Sequence, residues 1–304
     1  MSKIEAMIKK VKALINAPSC CAEAKEAANK WLEAVNTEKQ DEAAKALIEE
    51  IAAEKAGILK RDVPIIYIGK EEKSAKVIRE FAEKVGAPCR EISKNAYEIQ
   101  EITSKDIAFS ITNAYYENSI WKLGTKALYQ VENAMLALEA MRYLVKEEKH
   151  LNRWKEALYK THWEGRMEEI LPGVILDGAH NPGAVEVFVE SVNAQQENNF
   201  EKIILFSAVK EKEYETMIRM LCETIDAKEY ILTQIENERG VSTEELAGVF
   251  RKYTDKKIIE EENLEKAFCM ALKEKGENDR VYCLGSLYLV GMLKELIVGG
   301  KKHA

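Results

Sequence analysis

From Val174 onward, short apolar runs alternate with longer stretches in which apolar residues recur every three or four positions. The short runs, rich in β-branched residues and bounded by turn formers, read as buried strands; the longer spacing reads as amphipathic helix. Strands are predicted at Val174–Asp177, Ile203–Phe206, Tyr230–Thr233, Lys257–Ile259 and Val281–Leu284. Helices are predicted between them at about 183–195, 212–225, 243–252 and 263–274, with a last one at about 287–297. Such alternation predicts an α/β domain with a doubly wound, mostly parallel sheet. Right-handed crossovers then bring the loops after Asp177, Phe206, Thr233 and Leu284 to one edge, the edge at which open parallel sheets bind ligands.

Upstream the rhythm differs. Residues 1–48 read as helix throughout: Ile4, Ile8, Val11, Leu14 and Ile15 share one stripe, Pro18 breaks it, and Ser19 can cap a second helix through Ala34. Thr37 with Gln40 looks like a capping box opening a third. A further helical stretch ends near Gly57, Val63–Ile68 follows as a strand, and Lys73–Val85 as an amphipathic helix. The short alternating pieces of 88–122 predict β-hairpins rather than parallel strands. Tyr129–Leu144 is a strong helix, and a charged one leads on to Trp163. The expected division is an all-α segment at 1–48, an α/β segment at 49–162 and the C-terminal α/β domain at 163–304.

Composition narrows the function classes. The 304 residues are 46% hydrophobic and 32% charged, as in ordinary soluble globular proteins. A net charge of −7 argues against a broad nucleic-acid or acidic-membrane surface. No apolar run approaches the ~18 residues of a membrane span, and MSKIEAMIKKVK lacks the apolar core of a signal peptide. The six cysteines show no paired metal-ligand spacing, and adjacent Cys20 and Cys21 suit neither an ordinary disulfide nor a CxxC motif. A reduced, cytoplasmic setting with neither nucleic acid nor membrane as partner is expected. His-dependent chemistry has four candidates: His150, His162, His180 and His303.

Three strings carry candidate chemistry. VILDGAHNP at 174–182 reads as strand, tight turn and new helix, with Asn181 as N-cap and Pro182 at the first helical position. It displays Asp177, able to hold a hydroxyl or a cation, and His180, able to donate to a phosphate or carboxylate. The plainer alternative is that both only tie down the turn. WEGRME at 163–168 puts Arg166 near a hinge, where it could clamp a phosphate or simply face solvent. GSLYLV at 285–290 puts Ser286 at the start of a helix, where free backbone N–H groups favour an anion and where Ser is also an ordinary N-cap.

Together IAAEKAGILK, YQVENAMLALEAM, WEGRME, LDGAHNP and GSLYLVG, in this order and spacing, resemble the folylpolyglutamate synthase/dihydrofolate synthase family of Mur-type ligases, over about Ile48 to Leu296. The resemblance implies a Mur ligase C-terminal domain at 163–304, preceded at 49–162 by a remnant of the family's central domain. It implies ATP-dependent activation of a folate or dihydropteroate carboxylate as an acyl phosphate, attack by the amine of L-glutamate, and assistance by Mg²⁺. Carried over by position, Lys55 matches the lysine that becomes carbamylated and then helps hold the metal. Asn133, Arg166, Asp177 and His180 match positions around ATP, and His180, Ser286 and Tyr288 match positions associated with glutamate. Arg239 falls where the family often has an Arg, with no role assigned. FSAVKEKEYETM departs from the usual glycine-bearing segment.

The larger departure lies upstream. The family's ATP domain opens with a phosphate loop whose backbone amides and Lys cradle the phosphates. The chain contains no G-x-x-x-x-G-K followed by Ser or Thr, and the family's magnesium ligands ahead of EKAGI are missing as well. Residues 1–48 stand in their place. The expectations are that this chain is catalytically incomplete, that ATP and Mg²⁺ are its family's cofactors rather than firmly its own, and that Val63–Ile68 has lost its sheet neighbours. Competing readings are a non-catalytic nucleotide- or glutamate-binding module and a half-enzyme whose partner chain supplies the phosphate loop.

Overall fold

The computed structural model describes residues 56–300 apart from 71, 118, 146–149 and 196–199. The helices expected over 1–48, and Lys55, lie outside the described residues. The described residues divide into two compact units, one running up to Tyr97 and including the stretch that begins at Ala134, the other made of Glu98–Asn133 and the residues from His150 onward.

In the first unit, strand β1 (Ile65–Gly69) is followed by helix α1 (Glu72–Val85) and strand β2 (Cys89–Ser93). The helix buries Ala75, Val77 and Ala82 and ends at Gly86, whose φ of +77° suits glycine. Strands β1 and β2 pair in parallel, from Ile65 opposite Cys89 to Gly69 opposite Ser93. Two expectations are corrected here: the strand near Val63–Ile68 has a neighbour, and residues 89–93 form a parallel strand instead of a hairpin arm. The physical reason is the helix between them, since a strand, a helix and a strand in succession make a crossover.

Hairpin-type pairing does occur further on. Strands β3 (Tyr97–Ile102), β4 (Ile107–Ile111) and β5 (Ile120–Leu123) form a three-stranded sheet in that order, with β4 and β5 antiparallel. Helices α2 (Tyr129–Leu144) and α3 (Leu151–Lys160) follow.

The C-terminal sheet has six strands: β6 (Glu168–Leu171), β7 (Val174–Leu176), β8 (Lys202–Phe206), β9 (Glu229–Leu232), β10 (Lys257–Glu260) and β11 (Arg280–Leu284). Their spatial order is β10-β9-β8-β11-β7-β6, parallel except for β6, an antiparallel edge strand absent from the sequence reading. Helices α4 (Pro182–Asn193), α5 (Tyr214–Thr224) and α6 (Thr243–Phe250) cover one face; α7 (Leu264–Glu274) and α8 (Leu287–Gly300) cover the other. Side chains alternate between these cores as a pleated strand requires: Ile204 and Phe206 join the first, Ile203 and Leu205 the second. The near-continuous apolar strands are those of a sheet buried on both faces.

This topology locates the site. Strand β11, whose following helix lies on the second face, sits between β7 and β8, whose following helices lie on the first. Loops therefore diverge on both sides of β11 and leave a crevice at the strands' carboxyl ends. No described helix is long and apolar enough to cross a membrane.

Candidate functional site

Strand β7 runs out into Asp177, whose N–H still donates to the Cys283 carbonyl of β11 at 3.0 Å. The Asp177 side chain is 3% exposed and accepts three hydrogen bonds. The Tyr129 hydroxyl (2.8 Å) and the Met167 amide (2.9 Å) reach Oδ2, and the Ala179 amide (2.8 Å) reaches Oδ1. Burial pushes this carboxyl above the ordinary Asp range, against the pull of those donors and of the nearby Arg166 charge. The Tyr129 hydroxyl is pushed up by burial and by the Asp177 charge. Asp177 is thus committed to holding the turn and two other segments together.

Gly178 follows, and a Cβ there would stand 2.5 Å from Arg166 Nη1 and 2.6 Å from Leu287 Cδ2. Its bare backbone lets Arg166 lie over the turn. The Gly165 carbonyl accepts the Gly178 N–H (2.7 Å) and the Arg166 guanidinium (3.2 Å). Segment 164–168 is anchored from behind. Glu168 accepts from the Gly165 amide at 2.7 Å, and Lys294 of α8 pairs with Glu168 at 3.0 Å and Glu164 at 2.9 Å.

His180 sets its Nδ1 2.7 Å from the Gly178 carbonyl. With the proton on Nδ1, the neutral ring presents Nε2 as an acceptor. Asn181 then caps α4 through the Ala184 amide at 2.9 Å.

The loop after β11 is stitched to the same turn, because the Gly285 N–H donates to the Ala179 carbonyl at 2.9 Å. Gly285 has φ +108°, and a Cβ would meet the Ser207 carbonyl at 2.2 Å, so only glycine fits where β8 and β11 run out side by side. Ser286 is buried, and its Oγ accepts from the Tyr288 amide at 3.1 Å. Tyr288 is half-exposed and accepts from Arg239 Nη1 at 3.1 Å. Arg239 in turn donates from Nε to Glu211 at 2.9 Å.

Of the residues singled out in sequence, Arg166, Asp177, His180, Ser286 and Tyr288 gather at this edge. Asn133 is exposed and bonds to Gln130 at 2.8 Å, one turn earlier on α2. Sequence reasoning missed Tyr129, Glu168 and Lys294, and assigned Arg239 no role. Nothing local marks them, since Tyr129, Lys294 and Arg239 find Asp177, Glu168 and Tyr288 far away in the chain. Among the described residues no group of three or more His, Cys, Asp or Glu side chains could hold a metal ion.

A family profile described as "Mur ligase, glutamate ligase domain" matches residues 165–287. The chain is 32% identical over 257 residues to the dihydrofolate synthase/folylpolyglutamate synthase of Bacillus subtilis, covering 82% of this chain and 58% of that protein. It is 25% identical over 252 residues to a probable bifunctional folylpolyglutamate synthase/dihydropteroate synthase of Haloferax volcanii, covering 80% and 29%. The fold matches E. coli FolC in complex with DHPP and ADP with a TM-score of 0.67 at 24% identity, over 83% of this chain and 57% of that one. It matches folylpolyglutamate synthase from Thermotoga maritima with a TM-score of 0.66 at 24% identity, over 83% and 58%. The chain spans less than two thirds of the length of each.

Proposed function

The chain belongs to the folylpolyglutamate synthase/dihydrofolate synthase family of Mur-type ligases, and from that premise we propose that it is an ATP-dependent folate:L-glutamate amide ligase by descent with no turnover of its own. In that reaction a folate or dihydropteroate carboxylate takes the γ-phosphoryl group of ATP, giving an acyl phosphate and ADP. The L-glutamate amine then attacks the acyl carbon, phosphate leaves, and the amine loses its proton as the amide forms. Asn133, Arg166 and Asp177 are assigned to the nucleotide side, Ser286 and Tyr288 to glutamate, and His180 to both. His180 Nε2, as an acceptor, can hold an amine proton. Mg²⁺ would screen the transferring phosphate. Lys55, if carbamylated, is its one assigned ligand and lies outside the described residues.

The observation that carries this reading is the Gly285–Ala179 hydrogen bond, which ties the His180 turn to the loop bearing Ser286 and Tyr288. The expectation of no turnover rests on the missing phosphate loop. Phosphoryl transfer depends on positioning and on neutralising developing charge, and losing a single preorganised donor commonly costs ~10²–10³ in rate.

The test is amide and ADP formation by the purified chain given ATP, Mg²⁺, L-glutamate, and dihydropteroate or a reduced folate. No turnover above background is expected; sustained turnover overturns the inactivity. The C-terminal sheet has a complete core on both faces, which favours a binding module as the second reading. Calorimetric binding of ATP or glutamate without turnover supports that reading, and turnover restored only by an added protein supports a half-enzyme completed by a partner chain.

A further inference from the structure

We propose that Arg239 and Tyr288 form a carboxylate clamp that makes this sheet edge select an acidic amino acid over its amide. The proposal rests on the reading that the edge receives an amino-acid acceptor, and adds what decides which one.

The chemistry is that of two fixed donors side by side. The Tyr288 oxygen accepts from Arg239 Nη1 at 3.1 Å, so the phenol's own proton remains free to donate outward. Arg239 has five side-chain N–H groups. One goes to Tyr288 and one to Glu211, and the other three have no partner among the described residues. The guanidinium carbon lies 5.8 Å from the Tyr288 ring centroid, so the ring supports the cation as well as sharing its hydrogen bond. Both side chains are about half exposed. They are open to a ligand yet held in place.

The scaffold behind Arg239 is rigid. Its amide donates to Asn237 Oδ1 at 2.9 Å and its carbonyl accepts from the Lys210 amide at 2.9 Å, which fixes the loop after β9 against the loop after β8. Gly240 follows where a Cβ would meet the Ile235 carbonyl at 2.4 Å, so the turn admits no larger residue. Of the neighbouring charges, Glu211 occupies only the Nε edge, and Lys210 Nζ is turned to the Glu238 carbonyl at 3.0 Å. What remains is a planar cation and a phenol proton, which suit a two-oxygen anion far better than a carboxamide. Tyr288 also donates its backbone N–H to Ser286, which couples the clamp to the loop assigned to the amino acid.

The test is calorimetry of the full chain with L-glutamate and L-glutamine as probes. Wild type is expected to bind glutamate at least about tenfold more tightly than glutamine. Arg239→Gln should abolish that preference while keeping the wild-type melting temperature, Arg239→Lys should restore part of it, and Tyr288→Phe should weaken glutamate alone. A glutamate preference that survives Arg239→Gln, or an equal loss of both ligands, overturns the clamp and leaves the amino-acid reading standing. Absence of any glutamate binding by wild type sinks both.

Discussion

The phenol of Tyr129 donates to the buried carboxylate of Asp177 at 2.8 Å across 48 residues of chain. That bond fastens the first turn of α2 to the sheet edge on which the candidate site is built. The Met167 amide shares the same carboxylate oxygen, so one acidic side chain joins three separate segments.

Removing the phenol hydroxyl should therefore be felt globally. Tyr129→Phe is expected to cost ~1.5–3 kcal/mol, the range for a hydrogen bond to a charged group. Asp177→Ala strands three donors, two of them backbone amides, and should cost roughly 3 kcal/mol or more. Urea unfolding checks both, through a lowered midpoint at unchanged m-value.

Two glycines at the site should respond differently to alanine. At Gly285 the new Cβ meets the Ser207 backbone and the Phe206 ring at a positive φ, and neither obstacle can swing away. A loss of about 3 kcal/mol or more is expected. At Gly178 the nearest obstacles are the ends of the Arg166 and Leu287 side chains, which can move. Gly178→Ala should keep most of the stability and displace Arg166, which on the proposed assignment of Arg166 lowers any ATP affinity measured by calorimetry. Equal melting temperatures for the two variants would contradict this account.

Glu169 supplies a pH signature. Burial works to raise its pKa, but the Gly173 amide and the Lys126 ammonium outweigh it and hold the carboxyl below the ordinary Glu range. A carboxyl depressed in the folded state adds stability above its unfolded pKa, and that stability is lost as pH falls through the folded value. Glu169→Gln should therefore be less stable than wild type at neutral pH, with the gap closing as pH falls below the ordinary Glu pKa of about 4.3. A gap that widens on acidification would reverse the assignment.

Thiol labelling tests the sheet directly. Cys283 lies fully buried in β11, where burial pushes its thiol well up, and Cys222 is pushed up to about 11. Cys89 and Cys269 are exposed. In the native protein a maleimide should modify Cys89 and Cys269 quickly and Cys283 only after unfolding, as read by peptide mass spectrometry. Rapid native labelling of Cys283 would contradict the strand order that encloses it.

The parallel strands were legible because each carries a run of consecutive apolar residues, shortest in the edge strand β10, and all five expected ones are present to within one residue at either end. Strand β6 was not, since Glu168 and Glu169 give it the look of a polar linker; an antiparallel edge strand needs only one apolar face. The partner of β1 was misjudged because CREIS alternates like a hairpin arm, while the decisive fact is the helix that separates it from β1. The site divides in the same way. Asp177, His180 and Ser286 advertise themselves as polar residues just past strand ends, whereas Tyr129, Lys294 and Arg239 look like any other residues of a helix or loop.

The sequence by itself determined the alternation of strand and helix, the glycine turns at that edge and the absence of a phosphate loop, because periodicity and motif are local properties of a chain. Only the tertiary structure decided that β11 inserts between β7 and β8, that Tyr129 reaches Asp177 and that Arg239 reaches Tyr288. Hydrogen bonds between residues nearly fifty positions apart leave no local trace; they exist because burial on both faces of one sheet brings distant donors and acceptors to the same edge.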